Sequence, residues 1–476
     1  MCGIAGIFFL NEIIGIDSSL VNGMTQLLRH RGPDAINLIS ADSIIFGHTR
    51  LSIIDLEGGS QPMWDREQRI LITFNGEIYN YLELKEELRS KGHIFVTNSD
   101  TEVIIEAFKA WGEDAFGRLN GQFAFALFDK QKKEGFLVRD SFGEKPLYFF
   151  STNSILGFAS EVKALVFCKN KLKDDINLSE LALSQFLALN YIPGEETLIQ
   201  GIRKIKPGHF LKIKNGKNNE SRYETYPNQN ESLLTVSDLS DLFDNSVKIR
   251  LRSDVPVGLF LSSGIDSNLA LTSAIKFSSK IQCFSANFNE RTFNETNKSK
   301  KIAEKLGVPI DVIDINLNNL DLPSLIEKLV YHGDEPLADS SSLPVYLLSQ
   351  ATSKKVKVVL SGDGGDELFG GYLTYNATDL HNKMPQSIRS ILFMLRWLPN
   401  TWSASNNKVS FQEKLDRFIR NLMYPSAAAH FAWNGMFSLN QKLKLLTERL
   451  NVSSDKFEET YISLGSSLFT NINKPT

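Results

Sequence analysis

The chain is organised around its first four residues, Met1-Cys2-Gly3-Ile4. Residue 2 is small enough for the initiator methionine to be removed, which would leave a thiol and a free α-amino group on Cys2. An α-amino group titrates near pH ~8, so part of it is unprotonated at neutral pH and can accept the thiol proton, directly or through a water molecule. Taken alone, however, a cysteine at this position is more often a small apolar residue at a frayed chain end. The rest of the sequence has to show whether Cys2 is a nucleophile.

The composition is that of a globular protein with no nucleic-acid or membrane partner. The length of 476 residues suggests two or three domains, and 42% hydrophobic with 22% charged residues argues against disorder. A net charge of -3 gives no reason to expect binding to nucleic acid or to an anionic membrane. The three cysteines are odd in number and far apart, which favours a reducing compartment without a disulfide framework. Because the apolar stretch Ile4–Leu10 is too short for a signal-peptide core, we expect a cytoplasmic protein.

Residues 2–213 show many short strands with a few helices between them, which predicts an α+β domain. Arg69–Phe74 is a typical buried strand, and it runs into Asn75-Gly76, a dipeptide that often forms a hairpin turn because both residues tolerate positive φ. A second interpretation is chemical. The Asn75 amide and the Gly76 N–H are neutral donors that could face a developing oxyanion. The residues alone favour the turn.

Two charged residues of this half suit the ends of an amino acid. The pattern places Arg50 in an exposed segment, His48-Thr49-Arg50, between two strands, and Asp100 follows Ser99 further along the chain. Each is a surface charge by default. A guanidinium nevertheless suits an α-carboxylate and a carboxylate suits an α-ammonium group, so Arg50 and Asp100 together could hold the amino-acid end of a small substrate.

Five motifs occur in order in this half: Met1-Cys2-Gly3-Ile4-Ala5-Gly6, His30-Arg31-Gly32-Pro33-Asp34, Arg50-Leu51-Ser52-Ile53, Phe74-Asn75-Gly76-Glu77-Ile78-Tyr79-Asn80 and Ser99-Asp100-Thr101-Glu102. With these motifs, residues 2 to about 210 resemble the class II glutamine amidotransferase domain, an N-terminal-nucleophile hydrolase. The resemblance implies an αββα sandwich in which Cys2 attacks the side-chain amide of glutamine and releases ammonia. It implies an oxyanion hole made by Asn75 and Gly76. It also implies a glutamine site formed by Arg50, Glu77 and Asp100 with the backbone of Leu51, Ser52, Ile53 and Ile54.

The second half begins after a polar, asparagine-rich stretch at 214–232, which predicts a linker, and covers 233–476. Val255–Leu261 is a continuous apolar run of strand length that meets Ser262-Ser263-Gly264-Ile265-Asp266-Ser267, and a helical pattern follows. A buried strand, a turn of small residues and a helix form the arrangement in which helix N–H groups and hydroxyls bind phosphate. A serine-glycine turn that merely caps a helix is the simpler alternative.

Further strands are predicted at Ile281–Phe288 and Val356–Leu360, and the latter runs into Ser361-Gly362-Asp363-Gly364-Gly365-Asp366. Buried strands alternating with helices indicate an α/β domain with a parallel, doubly wound sheet, in which ligands bind at the carboxyl ends of the strands. Both motifs follow strands and could therefore share one crevice. Asp266 and Asp366 would then bring two carboxylates to one polyphosphate, the usual arrangement for Mg²⁺, although each aspartate taken singly is an ordinary solvated loop acid.

The two motifs, with Asp334-Glu335-Pro336-Leu337-Ala338-Asp339-Ser340-Ser341 before the third strand, resemble the ATP pyrophosphatase domain of glutamine-hydrolysing asparagine synthetases. The resemblance implies binding of ATP and Mg²⁺. It implies that Asp266 and Asp366 hold the metal ion. It implies an ATP site that is lined by Leu261, Ser262, Ser263, Gly264, Asp266, Ser267, Ala286, Ser361 and Gly362. Ser263 stands where most members of the family have glycine, and we expect this hydroxymethyl group to be tolerated.

The chemistry implied by the resemblance is glutamine-dependent asparagine synthesis. Aspartate and ATP would form an aspartyl-adenylate and pyrophosphate, and ammonia from Cys2 would displace AMP. Two alternatives stay open: an acceptor carboxylate other than aspartate, which residues around Asp334–Ser342 would decide, or a glutaminase with an inactive synthetase domain. The second arises because residues 453–476 contain neither of the lysine- and arginine-bearing motifs with which the family usually continues, so we expect a C-terminally shortened domain. Members often form dimers, and a homodimer is left open.

Overall fold

The computed structural model describes residues 1–11, 17–224, 235–288, 296–316, 320–394, 411–435, 437, 442, 444 and 445. Two six-stranded antiparallel sheets make up the first domain. Its strands are β1 (Gly3–Phe9), β2 (Ala35–Ala41), β3 (Ile44–Arg50), β4 (Met63–Trp64), β5 (Ile70–Ile78), β6 (Gly121–Asp129), β7 (Glu134–Arg139), β8 (Tyr148–Ser151), β9 (Ile155–Ala159), β10 (Arg203–Lys204), β11 (His209–Lys214) and β12 (Lys217–Arg222). One sheet has the order β10-β8-β9-β1-β3-β2, and the other has the order β12-β11-β7-β6-β5-β4.

Helices cover the outer face of each sheet. The helices of this domain are α1 (Ser18–Gln26), α2 (Tyr81–Ser90), α3 (Asp100–Trp111), α4 (Val162–Lys171) and α5 (Glu180–Leu189), and a 3₁₀ helix spans Gly112–Arg118. Three apolar layers result: α1 and α4 against the first sheet, sheet against sheet, and α2 and α3 against the second sheet. The predicted αββα sandwich is therefore confirmed.

The sequence of β1 is apolar throughout because both of its faces are covered. Ile4 and Phe8 point into the layer between the sheets, whereas Ala5 and Ile7 pack against the helices. All four side chains are at most 2% exposed. A strand buried on both faces loses the usual alternation of polar and apolar residues. This central position fixes the first residues of the chain firmly within the sheet.

Two local predictions in this domain are wrong. Asn75-Gly76 is not a hairpin turn, because β5 continues to Ile78 and pairs with β6 through both residues. The segment His48-Thr49-Arg50 is not exposed, because it forms the end of β3, which pairs with β1 on one side and β2 on the other. In both cases hydrogen bonds to neighbouring strands, which are not visible in the local pattern, decide the conformation.

The predicted linker is partly an edge strand. Residues 217–222 form β12, which pairs with β11 along its full length, and the Tyr223 hydroxyl donates to the Arg139 carbonyl oxygen at 2.7 Å. This part of the predicted linker is therefore integral to the first domain. Residues 225–232 of the predicted linker, and residues 453–476 with the predicted C-terminal shortening, lie outside the described residues.

The second domain contains a four-stranded parallel sheet of β13 (Val257–Phe260), β14 (Gln282–Phe288), β15 (Ile310–Ile315) and β16 (Val358–Leu360). Its helices are α6 (Val236–Arg250), α7 (Ile265–Phe277), α8 (Thr296–Leu306), α9 (Leu322–Gly333), α10 (Ser342–Thr352), α11 (Gly365–Phe369), α12 (Leu373–Lys383), α13 (Gln386–Met394), α14 (Phe411–Arg420) and α15 (Ser426–Asn434). Within the described part of the chain, no helix is long and apolar enough to cross a membrane.

The order of this sheet, β15-β14-β13-β16, confirms the doubly wound prediction. The chain moves outward from β13 to β15 and then returns to the other side of β13 with β16. The crevice between β13 and β16 is therefore the point at which the winding reverses, which is where open α/β sheets bind their ligands. The two motifs rich in small residues directly follow these two strands.

Candidate active site

A cavity of about 520 Å³ lies between the two domains. From the first domain it is lined by Met1, Cys2, Arg50, Leu51, Ile53, Ile54, Gly59, Gln61, Phe74, Asn75, Gly76, Glu77, Tyr79, Ser99, Asp100, Thr101, Gln122, Glu144 and Lys145. From the second domain it is lined by Arg250, Arg252, Ser253, Lys357, Val358, Val359, Leu360, Ser361 and Asp363. The cavity contains every predicted glutamine-site residue except Ser52, whose backbone N–H donates to Asp34 at 2.9 Å.

The thiol of Cys2 sits just before β1, where the strand fixes its position. Its Sγ atom accepts a hydrogen bond from the Leu51 backbone N–H at 3.3 Å, and its carbonyl oxygen accepts one from Arg31 Nε at 2.9 Å. Burial raises the pKa of the Cys2 thiol, while the Leu51 N–H opposes that rise. Burial lowers the pKa of the Met1 α-amino group to about 6. At neutral pH the residue next to Cys2 in the chain therefore carries a mostly unprotonated amine, while the Cys2 thiol is protonated, and an amine in that state can accept a thiol proton.

The amide of Asn75 is the clearest sign of a ligand site in this cavity. Asn75 is fully buried, and neither its nitrogen nor its oxygen has a hydrogen-bond partner. Because a buried polar group without a partner is costly, such a group indicates a place where a ligand supplies the partner. At Gly76 a Cβ would lie 2.2 Å from the Gln122 carbonyl oxygen, so only glycine fits this position on β5.

Arg50, at the end of β3, holds the loop that follows it. Its Nη2 atom donates to the Asp55 carbonyl oxygen at 2.6 Å, and its Nη1 atom donates to the Leu56 carbonyl oxygen at 3.0 Å. These bonds shape the segment that contains Ile53 and Ile54, which line the cavity. The guanidinium also lines the cavity, so it can both order the loop and present a positive charge to a carboxylate.

Two carboxyl groups, those of Glu77 and Asp100, also line the cavity. Burial and the neighbouring Asp100 raise the pKa of Glu77 to about 8. Burial raises the pKa of Asp100 to about 6, although its Oδ2 accepts the Ile78 N–H at 3.0 Å. Burial and the neighbouring carboxyl group disfavour the ionised form of Glu77, so a cation such as an α-ammonium group would stabilise the two carboxylates.

The predicted ATP-site residues surround the carboxyl ends of β13 and β16. Ser262 and Ser267 are joined through their hydroxyls at 2.9 Å, and Ser262 Oγ accepts the Gly264 N–H at 3.1 Å. Leu261 is buried at the end of β13, and its N–H donates to Phe284 on the neighbouring β14, the strand that carries Ala286. Hydrogen bonds within the loop between β13 and α7 thus hold it in a compact turn, and α7 begins where this loop ends.

The loop after β16 packs directly against this first loop. A Cβ on Gly362 would lie 2.8 Å from the Ser267 nitrogen, and a Cβ on Gly365 would lie 2.5 Å from the Asp266 carboxyl carbon. The structure therefore brings the two motifs together, as expected for one crevice. Asp366 lies in the first turn of α11, the short helix that follows this loop, and packs against Gly371. No group of three or more His, Cys, Asp or Glu side chains that could hold a metal ion is found among the described residues.

The sequence interpretation missed three charged residues near the nucleophile. Arg31 holds the Cys2 carbonyl, Glu161 pairs with Arg31 at 2.8 Å, and Lys145 donates to Gln122 at 2.7 Å at the cavity wall. Burial lowers the pKa of Lys145. Arg31 lies in the motif His30-Arg31-Gly32-Pro33-Asp34, so the sequence did contain a signal for it. Glu161 and Lys145 lie in stretches with no local signal, and only the fold brings them to Cys2.

Comparisons with known proteins agree with this geometry. Residues 1–224 match the glutamine amidotransferase domain model, and residues 238–468 match the asparagine synthase model. The chain is 38% identical over 383 residues to glutamine-hydrolysing asparagine synthetase 1 of Bacillus subtilis (strain 168). This alignment covers 79% of this chain and 59% of that relative. It is 31% identical over 428 residues to asparagine synthetase 3 of the same strain, with coverages of 86% and 69%.

A third relative matches over most of its own length. It is the putative glutamine-hydrolysing asparagine synthetase 2 of Methanocaldococcus jannaschii, 35% identical over 422 residues, with 82% of this chain and 80% of the relative covered. The chain spans a smaller share, 59%, of the first Bacillus subtilis relative. With both domain models matched in order and 80% of this third relative covered, the chain belongs to the family of the glutamine-hydrolysing asparagine synthetases.

Proposed function

We propose that the chain makes asparagine from aspartate, with glutamine as the nitrogen donor and ATP as the activating substrate. The observation that carries the proposal is the single cavity shared by the two domains. Cys2, Asn75 and Asp100 line it from the first domain, and residues of β16 together with Ser361 line it from the second. A nucleophile that releases ammonia and a site that consumes it would then face the same cavity.

The first half-reaction would use the residues around Cys2. Asp100 and Glu77 would bind the α-ammonium group of glutamine, Arg50 its α-carboxylate, and the thiolate of Cys2 would attack the side-chain amide. The Asn75 amide and the Gly76 N–H would stabilise the oxyanion. Removal of Met1, which lines the cavity, would leave the α-amino group on Cys2 itself to take the thiol proton. The backbone of Leu51, Ile53 and Ile54 would complete the glutamine site.

The second half-reaction would take place at the carboxyl ends of β13 and β16. The loop Ser262–Ser267 and the start of α7 would hold the phosphates of ATP, and Ala286, Ser361 and Gly362 would line the nucleotide site. Adenylation of the aspartate side chain would supply the leaving group that ammonia displaces. Ammonia that stays within the cavity escapes protonation to ammonium, which is not nucleophilic.

Mg²⁺ fits this crevice by the chemistry of its donors. The ion is bound in proteins by one or two carboxylates together with substrate phosphates, so the small number of acidic side chains here suits it. Asp266 and Asp366 would hold the ion, and it would neutralise the charge that develops on the phosphates. The close packing of Gly362 and Gly365 on Asp266 keeps that carboxylate between the two loops.

The test is a paired assay with glutamine, aspartate, ATP and Mg²⁺. We expect glutamate and pyrophosphate to appear in comparable amounts, together with asparagine. If pyrophosphate forms only with another carboxylic acid, that acid and not aspartate is the acceptor. Glutamate release without any acceptor-dependent pyrophosphate would contradict the synthetase assignment. We further propose a homodimeric assembly, which light scattering on the purified chain would check. We also propose a cytoplasmic location.

A further inference from the structure

The turn after α9 in the second domain is anchored to the first domain. The carboxylate of Asp334 accepts the backbone N–H of Val162 and, at 3.0 Å, that of Lys163, so it caps the first turn of α4 from the other domain. The next residue, Glu335, pairs with Lys204 Nζ at 2.8 Å and accepts the Tyr148 hydroxyl at 3.3 Å. Two consecutive acidic residues thus bind three elements of the first domain, namely α4, β8 and β10.

A continuous chain of charges leads from this turn to the nucleophile. Lys163 Nζ pairs with Asp334 Oδ1 at 3.7 Å and with Glu161 Oε2 at 2.5 Å. Glu161 Oε1 accepts from Arg31 Nη1 at 2.8 Å, and Arg31 Nε donates to the Cys2 carbonyl oxygen at 2.9 Å. Every link is a direct contact between named atoms.

The middle of this chain is buried and therefore weakly screened. The side chain of Glu161 is 3% exposed and that of Arg31 is 9% exposed. Burial alone would raise the pKa of Glu161, but the hydrogen bond from His30 and the charge of Arg31 outweigh it and lower that pKa to about 2. Glu161 is therefore ionised at any pH at which the protein works. A buried charge held by several partners transmits the loss of one partner to the others.

Beyond the Asp334 turn, the polypeptide leads to the parallel sheet that carries the nucleotide crevice. The Asp334 turn leads into α10, and α10 packs against β14, the strand that carries Ala286. A movement of β14 or α10 on ligand binding would therefore be carried to the Asp334 turn. From there only Lys163, Glu161 and Arg31 separate it from Cys2.

We propose that Glu161 and Lys163 are positioning residues that link the Asp334 turn of the second domain to the backbone of Cys2, so that ligands in the synthetase crevice alter the reactivity of the thiol. This inference rests on the proposed function only for the identity of those ligands, aspartate and ATP. The link itself consists of contacts between the two domains.

The test measures the thiol directly. Alkylation of Cys2 by iodoacetamide is followed by mass spectrometry of its peptide in the full chain, with and without aspartate and ATP. We expect the ligands to change the alkylation rate at least threefold in the unaltered chain. Lys163→Met should abolish this response, and Lys163→Arg, which keeps the positive charge, should restore it. Lys130→Met, which breaks a surface ion pair with Asp42, is the matched control and should respond as the unaltered chain does.

A second arm separates this inference from the proposed function. Without ligands, Glu161→Gln should change the alkylation rate of Cys2 about threefold, because Arg31 loses its charged anchor. The double variant with Lys163→Met should behave as Glu161→Gln alone, since links in series are not additive. Alkylation rates that are equal in all variants would overturn the inference. An absence of aspartate-dependent pyrophosphate would instead overturn the proposed function, and this ligand-free arm would still decide the link.

Discussion

The Sγ atom of Cys2 lies 3.3 Å from the backbone nitrogen of Leu51, whose N–H donates to it. Cys2 is held by strand β1, and Leu51 begins the loop after β3, which is the neighbouring strand. The thiol therefore has a position that is fixed by the sheet, although it lies close to the end of the chain.

Cys2→Ala should abolish glutamine-dependent activity and spare ammonia-dependent activity. Loss of the thiol should lower glutamate release by at least about 10³-fold, as removal of other enzyme nucleophiles does. Asparagine formation with ammonium chloride should continue, because the second domain is untouched. Cys168→Ala is the control: this thiol is fully buried in the layer between the first sheet and its helices, so its loss should lower stability and keep glutaminase activity.

Asn75→Ala should slow the chemical step more than it weakens glutamine binding. The buried amide has no partner within the protein, so its donor is free for the developing oxyanion. We expect kcat for glutamate release to fall about 10²–10³-fold with little change in KM. Asn219→Ala, at an exposed position of the edge strand β12, should leave both constants unchanged. A rise in KM at constant kcat would assign Asn75 to substrate binding instead.

Glutaminase activity should fall in acid. Burial raises the pKa of Asp100 to about 6. In the proposed function Asp100 must be ionised to hold the α-ammonium group of glutamine. This condition is met above about pH 6 and lost below it, so kcat/KM should drop about tenfold per pH unit in the acid range. A flat profile between about pH 5 and pH 7 would contradict the role of Asp100.

Gly365→Ala should damage the synthetase site alone. The new Cβ would lie 2.5 Å from the Asp266 carboxyl carbon, so the carboxylate would have to move. We expect ammonia-dependent pyrophosphate release to fall roughly tenfold, with a loss of roughly 1–3 kcal/mol in stability at most. Glutaminase activity should persist. Gly333→Ala is the matched control, since a Cβ there would meet no atom within 4 Å. Equal losses in both variants would show a general packing effect.

The motifs of the sequence were sufficient for the architecture and for most of the candidate site. β1 could be recognised because a strand covered on both faces must be apolar, and β13 could be recognised for the same reason. β15 was not predicted, and β12 was taken for part of a linker because an exposed edge strand is polar. The predicted hairpin turn at Asn75-Gly76 was wrong because the pairing of β5 with β6 joins residues that are far apart in the sequence.

By itself, the sequence determined which chemical groups the protein has and the order in which they occur: the Cys2 thiol, the Asn75 amide and two turns of small residues after buried strands. Tertiary structure alone decided how these groups meet. It placed Glu161 beside Arg31, although 130 positions separate them, and it docked Asp334 on α4. The physical reason is that strand pairing and charge pairing act over a few ångströms in space, whatever the distance along the chain.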